Sequence, residues 1–191
     1  MNVLDICAGT GSATSAFRDR GHNVETLDIV GNQTYICDVR DFVPEKKYDF
    51  VWASPPCTEF SLLKKIKCAE RTLDLSIVDS CFRICRSARY WMLENPRACL
   101  RHFRGMPKKT IMQGLFGAPT QKPTDLWGVF PDFSPACDEP KTKTYVPWSQ
   151  AHDDGLRSER AVRRAMIPYN LSLAICLSIE LSIENGGIYE R

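Results

Sequence analysis

No apolar run in this sequence approaches the roughly 20 residues of a membrane span, so a membrane-spanning protein is not expected. The chain opens directly on "MNVLDICAGTGS", without the zones of a secretory leader. It is expected to stay where it is made: the cytoplasm, or a host cell's cytoplasm if phage-encoded. Internal repeats and low-complexity tracts are absent, which argues against solenoids and flexible tails. Excess charge is lacking too, at a net +2. Cys81 and Cys85 stand four apart, but no second pair lies near a histidine. No metal is therefore expected, and the two read as small buried hydrophobes on one helix face. An odd cysteine count of nine without an export signal argues for reduced thiols and against a disulfide framework.

What is present is ordinary for a globular chain: 191 residues, 43% hydrophobic and 25% charged. That length is one domain, 1–191, with enough chain to bury a core. Apolar runs at Val3–Ile6, 23–29, 34–39, 47–54 and 90–96 read as strands. Stretches 12–20 and 73–90 carry helical spacing, and helix signals resume from about Ser158 to Ile183, with a break at Pro168. "KTIMQGLFG" and "TDLWGVF" read as later strands, possible partners in a hairpin. The alternation predicts an α/β fold, a mostly parallel sheet with helices on both faces. Residues 129–157 are Pro-rich and polar, a loop insert.

The modest net charge is unevenly placed. Segments 62–71, 97–109 and 157–164 are basic clusters, read either as a nucleic-acid face or as solvated helix surface.

Two strand ends carry chemistry. In "LDICAGTGS", Gly9 and Gly11 let backbone approach a ligand at a helix start. Asp28 ends the next strand, where an acid binds ribose hydroxyls, and Asp38 ends the third, where it can meet an adenine amino group. Without the GK[ST] of a phosphate loop, an adenosine-type ligand fits better than a phosphate-rich nucleotide. The second strand end is "ASPPCTEFS". Two adjacent prolines fix the backbone ahead of Cys57, and Glu94 of "LENPR" ends the neighbouring strand. A thiol and a carboxyl there form a nucleophile and acid pair; the alternative is a structural cysteine beside a surface glutamate.

In order, "LDICAGTGS", "LDIV", "CDVRDF", "ASPPCTEFS", "MLENPR", "GLFGAPTQKPTDLWG" and "AMIPYNLSLAI" resemble the motifs of DNA (cytosine-5) methyltransferases. The resemblance spans almost the whole chain, and its most specific part is the Pro-Cys loop with the downstream Glu-Asn. It implies a Rossmann-like class I S-adenosylmethionine-dependent fold. It also implies S-adenosylmethionine contacts over Asp5, Cys7, Ala8, Gly9, Thr10, Gly11, Ser12, Asp28, Ile29, Asp38, Val39, Ser54 and Pro55. Cys57 would attack carbon 6 of cytosine while Glu94 holds N3, with Asn95, Arg97 and Lys122 completing the catalytic set. Ser61, Lys64, Lys65, Lys67 and Thr124 would contact nucleic acid. The expected partner is DNA, and the expected form a monomer. Methylation of tRNA and a catalytically degenerate binding module are the alternatives.

The chain also departs from the pattern. Cys7 replaces a usual Phe. Thr120, Lys122 and Thr124 stand where Gln, Arg and Arg are usual, so the arginine that holds the cytosine carbonyl is missing, with Lys122 or Arg97 as the expected substitute. Arg164-Ala165 replaces Gly-Asn. Residues 129–157 replace a full target-recognition domain.

Overall fold

The computed structural model describes residues 1–60, 73–135, 162–163 and 165–186. Its elements are β1 (Asn2–Ile6), α1 (Ser15–Asp19), β2 (Asn23–Asp28), β3 (Tyr35–Ile36), β4 (Phe50–Ala53), α2 (Ser76–Cys85), β5 (Tyr90–Pro96), α3 (Leu100–Arg104), β6 (Lys109–Met112), β7 (Pro123–Val129) and α4 (Tyr169–Glu184). The strands form one sheet in the order β3-β2-β1-β4-β5-β7-β6. Pairing is parallel from β3 to β5, and β7 runs antiparallel to both β5 and β6. This is the Rossmann-like class I arrangement, and the two later strands do form an antiparallel pair.

Central strands buried on both faces read as continuous apolar runs, and "FVWA" of β4 is the example. Phe50 and Trp52 join Phe17 of α1 and Leu171, Ile175 and Ile179 of α4 on one face. Val51 and Ala53 join Val78, Cys81, Phe82 and Cys85 of α2 and Leu100 of α3 on the other. Gly128 makes the β5–β7 pairing possible. Its φ is 149°, and a Cβ there would lie 2.0 Å from the Trp91 carbonyl oxygen.

Several elements are shorter than the sequence predicts. The third strand ends at Ile36, because Asp38 turns back to accept from the Arg40 amide at 2.8 Å and the Asp41 amide bonds the Asp38 carbonyl at 3.0 Å. The second long helix starts only after Asp74 accepts from the Ser76 amide at 2.9 Å, and it stops before Ala88. The stretch from Ser12 begins as a tight 3-10 turn and becomes α-helical at Ser15. Pro168 directly precedes α4. The expectation of reduced thiols holds for Cys7, Cys37, Cys57, Cys81, Cys85 and Cys176. It fails at Cys99, which is disulfide-bonded.

The chain runs outward from β1 to β3 and then returns to β4 on the other side of β1. That reversal opens a crevice between the C-terminal ends of β1 and β4. Both motifs end there.

Candidate active site

The floor of the crevice is the loop after β1. Cys7, Gly9 and Gly11 have φ of 55°, 53° and 67°, left-handed values that carry the backbone sharply over the strand end. A Cβ on Gly9 would meet nothing within 4 Å, so this backbone faces open space. The Asp28 carboxylate accepts from the Gly9 amide at 2.9 Å and the Ile29 amide at 2.7 Å, tying the end of β2 to the loop. Gln33 donates to the Gly9 carbonyl at 3.0 Å. Ile29 and Val30 are 64% and 67% exposed, an apolar rim beside the acid.

Asp5 lies beneath this loop, buried. Its Oδ2 accepts from the Thr14 hydroxyl at 2.8 Å while Oδ1 has no partner. Burial pushes its pKa up to about 7, against the Thr14 hydrogen bond and the nearby Arg18 charge. A folded carboxyl above its unfolded value costs stability as pH rises, because the unfolded chain releases the proton first. Stability should therefore fall between 3.8 and about 7. Asp5→Asn is expected to remove a slope on the order of a few kcal/mol over that window. Melting temperature against pH measures it, and a variant with the wild-type slope would show that Asp5 ionises normally.

The other expected cofactor residues divide. Thr10 is exposed and Ala8 half-buried on the loop. Cys7 turns its thiol toward Cys81, with the sulfurs 4.0 Å apart, and that contact and burial raise its pKa. The Ser12 hydroxyl accepts from the Ile167 amide at 2.9 Å, holding the approach to α4. The Val39 side chain is in the core, leaving only its backbone for a ligand. Asp38 is ion-paired with Arg40 at 2.6 Å, which holds its carboxyl down at about 2.

The wall of the crevice is the Pro-Cys loop. The Ser54 amide donates to the Ile6 carbonyl at 3.0 Å, extending the β1–β4 ladder by one step. Asn95 Nδ2 donates to the buried Pro55 carbonyl at 3.1 Å. Beyond the thiol, the Phe60 amide bonds the Cys57 carbonyl at 3.0 Å, and the Cys99 amide bonds the Phe60 carbonyl at 3.1 Å. Cys57 itself is exposed. Two prolines and four hydrogen bonds thus hold the loop that carries this exposed cysteine.

Ala53 pairs with Leu93, which sets Ser54 beside Glu94. Glu94 is 6% exposed and its Oε1 has no partner. Burial raises its pKa, opposed by the Lys122 charge and a hydrogen bond with Ser54. A buried carboxyl at the end of a strand, with its pKa raised by desolvation, keeps its proton to higher pH than an exposed one. Lys122 has a φ of 32°. Arg97 is exposed, its amide bonded to the Pro123 carbonyl at 2.9 Å.

Two nucleic-acid expectations need correction. Thr124 is fully buried, its hydroxyl donating to the Lys122 carbonyl at 3.1 Å and accepting from Gln113 at 2.9 Å, so it cannot reach a nucleic-acid backbone. The 97–109 cluster is mostly spent inside the fold. Arg101 pairs with buried Asp125, Arg104 bonds Asp79 at 2.8 Å, and Lys108 and Lys109 donate to the Phe130 and Phe133 carbonyls. Ser61, Lys64, Lys65 and Lys67 lie outside the described residues, as do Arg164 and most of 129–157. Gln113, Thr14 and Gln33 were not singled out from the sequence. Each acts through partners set by the pairing of strands, which residue type and spacing do not report.

Among the described residues, one group able to hold a metal ion is His22, Cys176 and Glu180. It precedes β2, at the opposite sheet end, and Arg20 already pairs with Glu180 at 2.7 Å.

No family model matches the chain. It is 38% identical over 72 residues to a probable DNA (cytosine-5)-methyltransferase of Frog virus 3 (isolate Goorha). The match covers 34% of this chain and 33% of that relative, so the chain spans about a third of the relative's length. Among solved structures, it is similar to a mutant of Spodoptera frugiperda DNMT2, at 14% identity over 65% of this chain and 48% of that one, TM-score 0.42. It is also similar to the glycopeptide N-methyltransferase MtfA, at 17% identity over 50% and 46%, TM-score 0.32. At the β6–β7 rim, Thr124 stands where the resemblance leads one to expect an arginine, and it is buried against Gln113.

Proposed function

We propose that the chain methylates carbon 5 of cytosine in DNA, with S-adenosylmethionine as methyl donor. The observation that carries this is the pair at adjacent strand ends: an accessible, rigidly held Cys57 and a buried Glu94 with an unpartnered oxygen. The glycine loop fits the donor. Asp28 sits where it can accept ribose hydroxyls, Ile29 and Val30 offer apolar surface for an adenine, and open space lies over Gly9.

The chemistry follows from the residues. Carbon 5 of cytosine is a poor nucleophile until the ring is electron-rich. The Cys57 sulfur forms a bond to carbon 6, and the displaced ring electrons are taken up as N3 accepts the Glu94 proton. Bound S-adenosylmethionine supplies the electrophilic methyl group that carbon 5 of this enamine takes. Loss of the carbon-5 proton to solvent then restores the double bond and expels the Cys57 thiolate, and N3 returns its proton to Glu94. Both groups must meet one flat ring within about 0.5 Å of productive geometry, which gives the pinned loop its purpose. A base in a duplex must leave its stack to reach them.

The test offers labelled cofactor with duplex DNA, single-stranded DNA, tRNA and free dCMP, and then locates the label. Label on carbon 5 of cytosine in DNA is expected. Label in tRNA alone would move the reading to RNA, and none on any cytosine would end it. A covalent complex with 5-fluorocytosine DNA is expected as well, since trapping needs both attack and methyl transfer; a degenerate binding module would form none.

The target should be short. Base readout needs several side chains at base edges, each bidentate pair giving about 1–3 kcal/mol of discrimination. Residues 129–157 offer few candidates for that work: Lys141, Lys143, Gln150, His152 and Arg157. Phosphate contacts add affinity without sequence information. Bisulfite sequencing of a treated plasmid should show a site of about two or three base pairs, with strongly salt-dependent binding. Methylation confined to one longer site would show that a partner or the insert reads more.

A further inference from the structure

Away from the crevice, the cluster before β2 brings together three side chains with the chemistry of a metal site. A ring nitrogen of His22, the Cys176 sulfur and a Glu180 carboxylate oxygen all lie within 4.8 Å of one another. Cys176 is fully buried, and the His22 and Glu180 side chains are only 14% and 17% exposed. An imidazole, a thiol and a carboxylate are the donors that zinc takes.

The backbone delivers all three. Cys176 and Glu180 stand four apart on α4, one turn, and so share a face of the helix. His22 comes from the turn between α1 and β2. Gly21 closes that turn with a φ of 79°, and the His22 amide donates to the Phe17 carbonyl at 3.0 Å. The two elements are also tied to each other, since the Ala16 amide donates to the Ser172 hydroxyl oxygen at 3.2 Å. His22 Nδ1 faces the Met1 nitrogen at 3.2 Å, which holds the ring with Nε2 toward Glu180. The donors are in place without any long side chain reaching across solvent.

The spacing fits an ion. His22 Nε2 and Glu180 Oε1 are 2.7 Å apart and share a proton. Tetrahedral zinc, with bonds of about 2.0–2.3 Å, sets its ligand atoms roughly 3.3–3.8 Å apart. An opening of about half an ångström at this pair therefore suffices. Arg20 competes, because it pairs with Glu180 at 2.7 Å, but its side chain is 41% exposed. It can keep Oε2 or turn to solvent while Oε1 goes to the metal. We infer that His22, Cys176 and Glu180 bind one zinc ion, with water as the fourth ligand, and that the ion clamps α4 to the start of β2. The thiol gives its proton to solvent, and His22 takes the tautomer with Nε2 bare. His22 and Glu180 lie 158 residues apart in sequence, so the clamp joins the two ends of the fold. The site stands at the opposite end of the sheet from Cys57, and its role is stability.

The test uses the untagged full chain with its thiols kept reduced. Competition with a chromophoric chelator should show one zinc per chain, with a Kd of about 1 µM or tighter. Zinc at a hundred times Kd should raise the melting temperature by about 5–10 °C. Cobalt at the same site should show the near-ultraviolet charge-transfer band of a metal–thiolate bond. Cys176→Ser should abolish that band, and His22→Gln should weaken zinc binding by about a hundredfold. If the buried serine does not fold, His22→Gln carries the test, because that side chain lies at the edge of the core. Saturation only at millimolar metal, or unchanged zinc affinity in His22→Gln, would overturn the inference. A cobalt band that persists in Cys176→Ser would place the metal on another thiol and overturn it as well.

Discussion

Cys57→Ala should lower cytosine methylation by at least about 10⁴-fold, the scale on which loss of a nucleophile acts. Cys57 is exposed at the crevice, so the substitution opens no core cavity and the melting temperature should hold. The Asp28 side of the crevice is untouched, so S-adenosylmethionine binding measured by calorimetry should also hold. Single-turnover transfer of labelled methyl reads the loss. The covalent complex with 5-fluorocytosine DNA should vanish with it. Retention of most of the activity would show that carbon 6 is not attacked by this sulfur, and the proposed chemistry would fall.

Glu94→Gln separates the carboxyl's proton from its shape. The amide fills the same buried space but cannot deliver a proton to N3, so kcat should fall about 10²- to 10³-fold. The wild-type rate should show an alkaline limb that belongs to Glu94. Burial raises its pKa, so the useful acid form persists above the ordinary carboxylate range and is lost only as pH passes the raised value. That limb should be missing from the variant's profile. Stability moves the other way. Because the folded carboxyl holds its proton more tightly than the unfolded one, ionisation costs stability as pH rises through the same range. Glu94→Gln should therefore melt higher than wild type near neutral pH, and the gap should close in acid. Melting curves across pH check the sign. A variant less stable than wild type at neutral pH would show that the carboxylate is satisfied in the fold.

Much of this was legible in the residues themselves. Runs such as "FVWA" and "YWMLENP" announce buried strands because a strand covered on both faces needs apolar side chains at every position. Gly9 and Gly11 mark a turn because their left-handed backbone disfavours a side chain. The two prolines before Cys57 mark rigidity because each fixes its own φ. Such features depend on a few adjacent residues, and local sequence reports them directly.

What only the tertiary structure decided was where polar side chains spend their hydrogen bonds. Arg101 reads as a nucleic-acid cation until the antiparallel β6–β7 pair brings Asp125 and Thr110 to it. Thr124 reads as a surface contact until the same register buries it against Gln113. Gln113, an ordinary residue in sequence, becomes a buried amide with an open end only when β7 lies between β5 and β6. Strand pairing joins residues distant along the chain, and a shift of one residue exchanges the faces of the sheet. Identity and spacing along the chain determine which groups are available; the register between strands determines which of them are left free to meet a substrate.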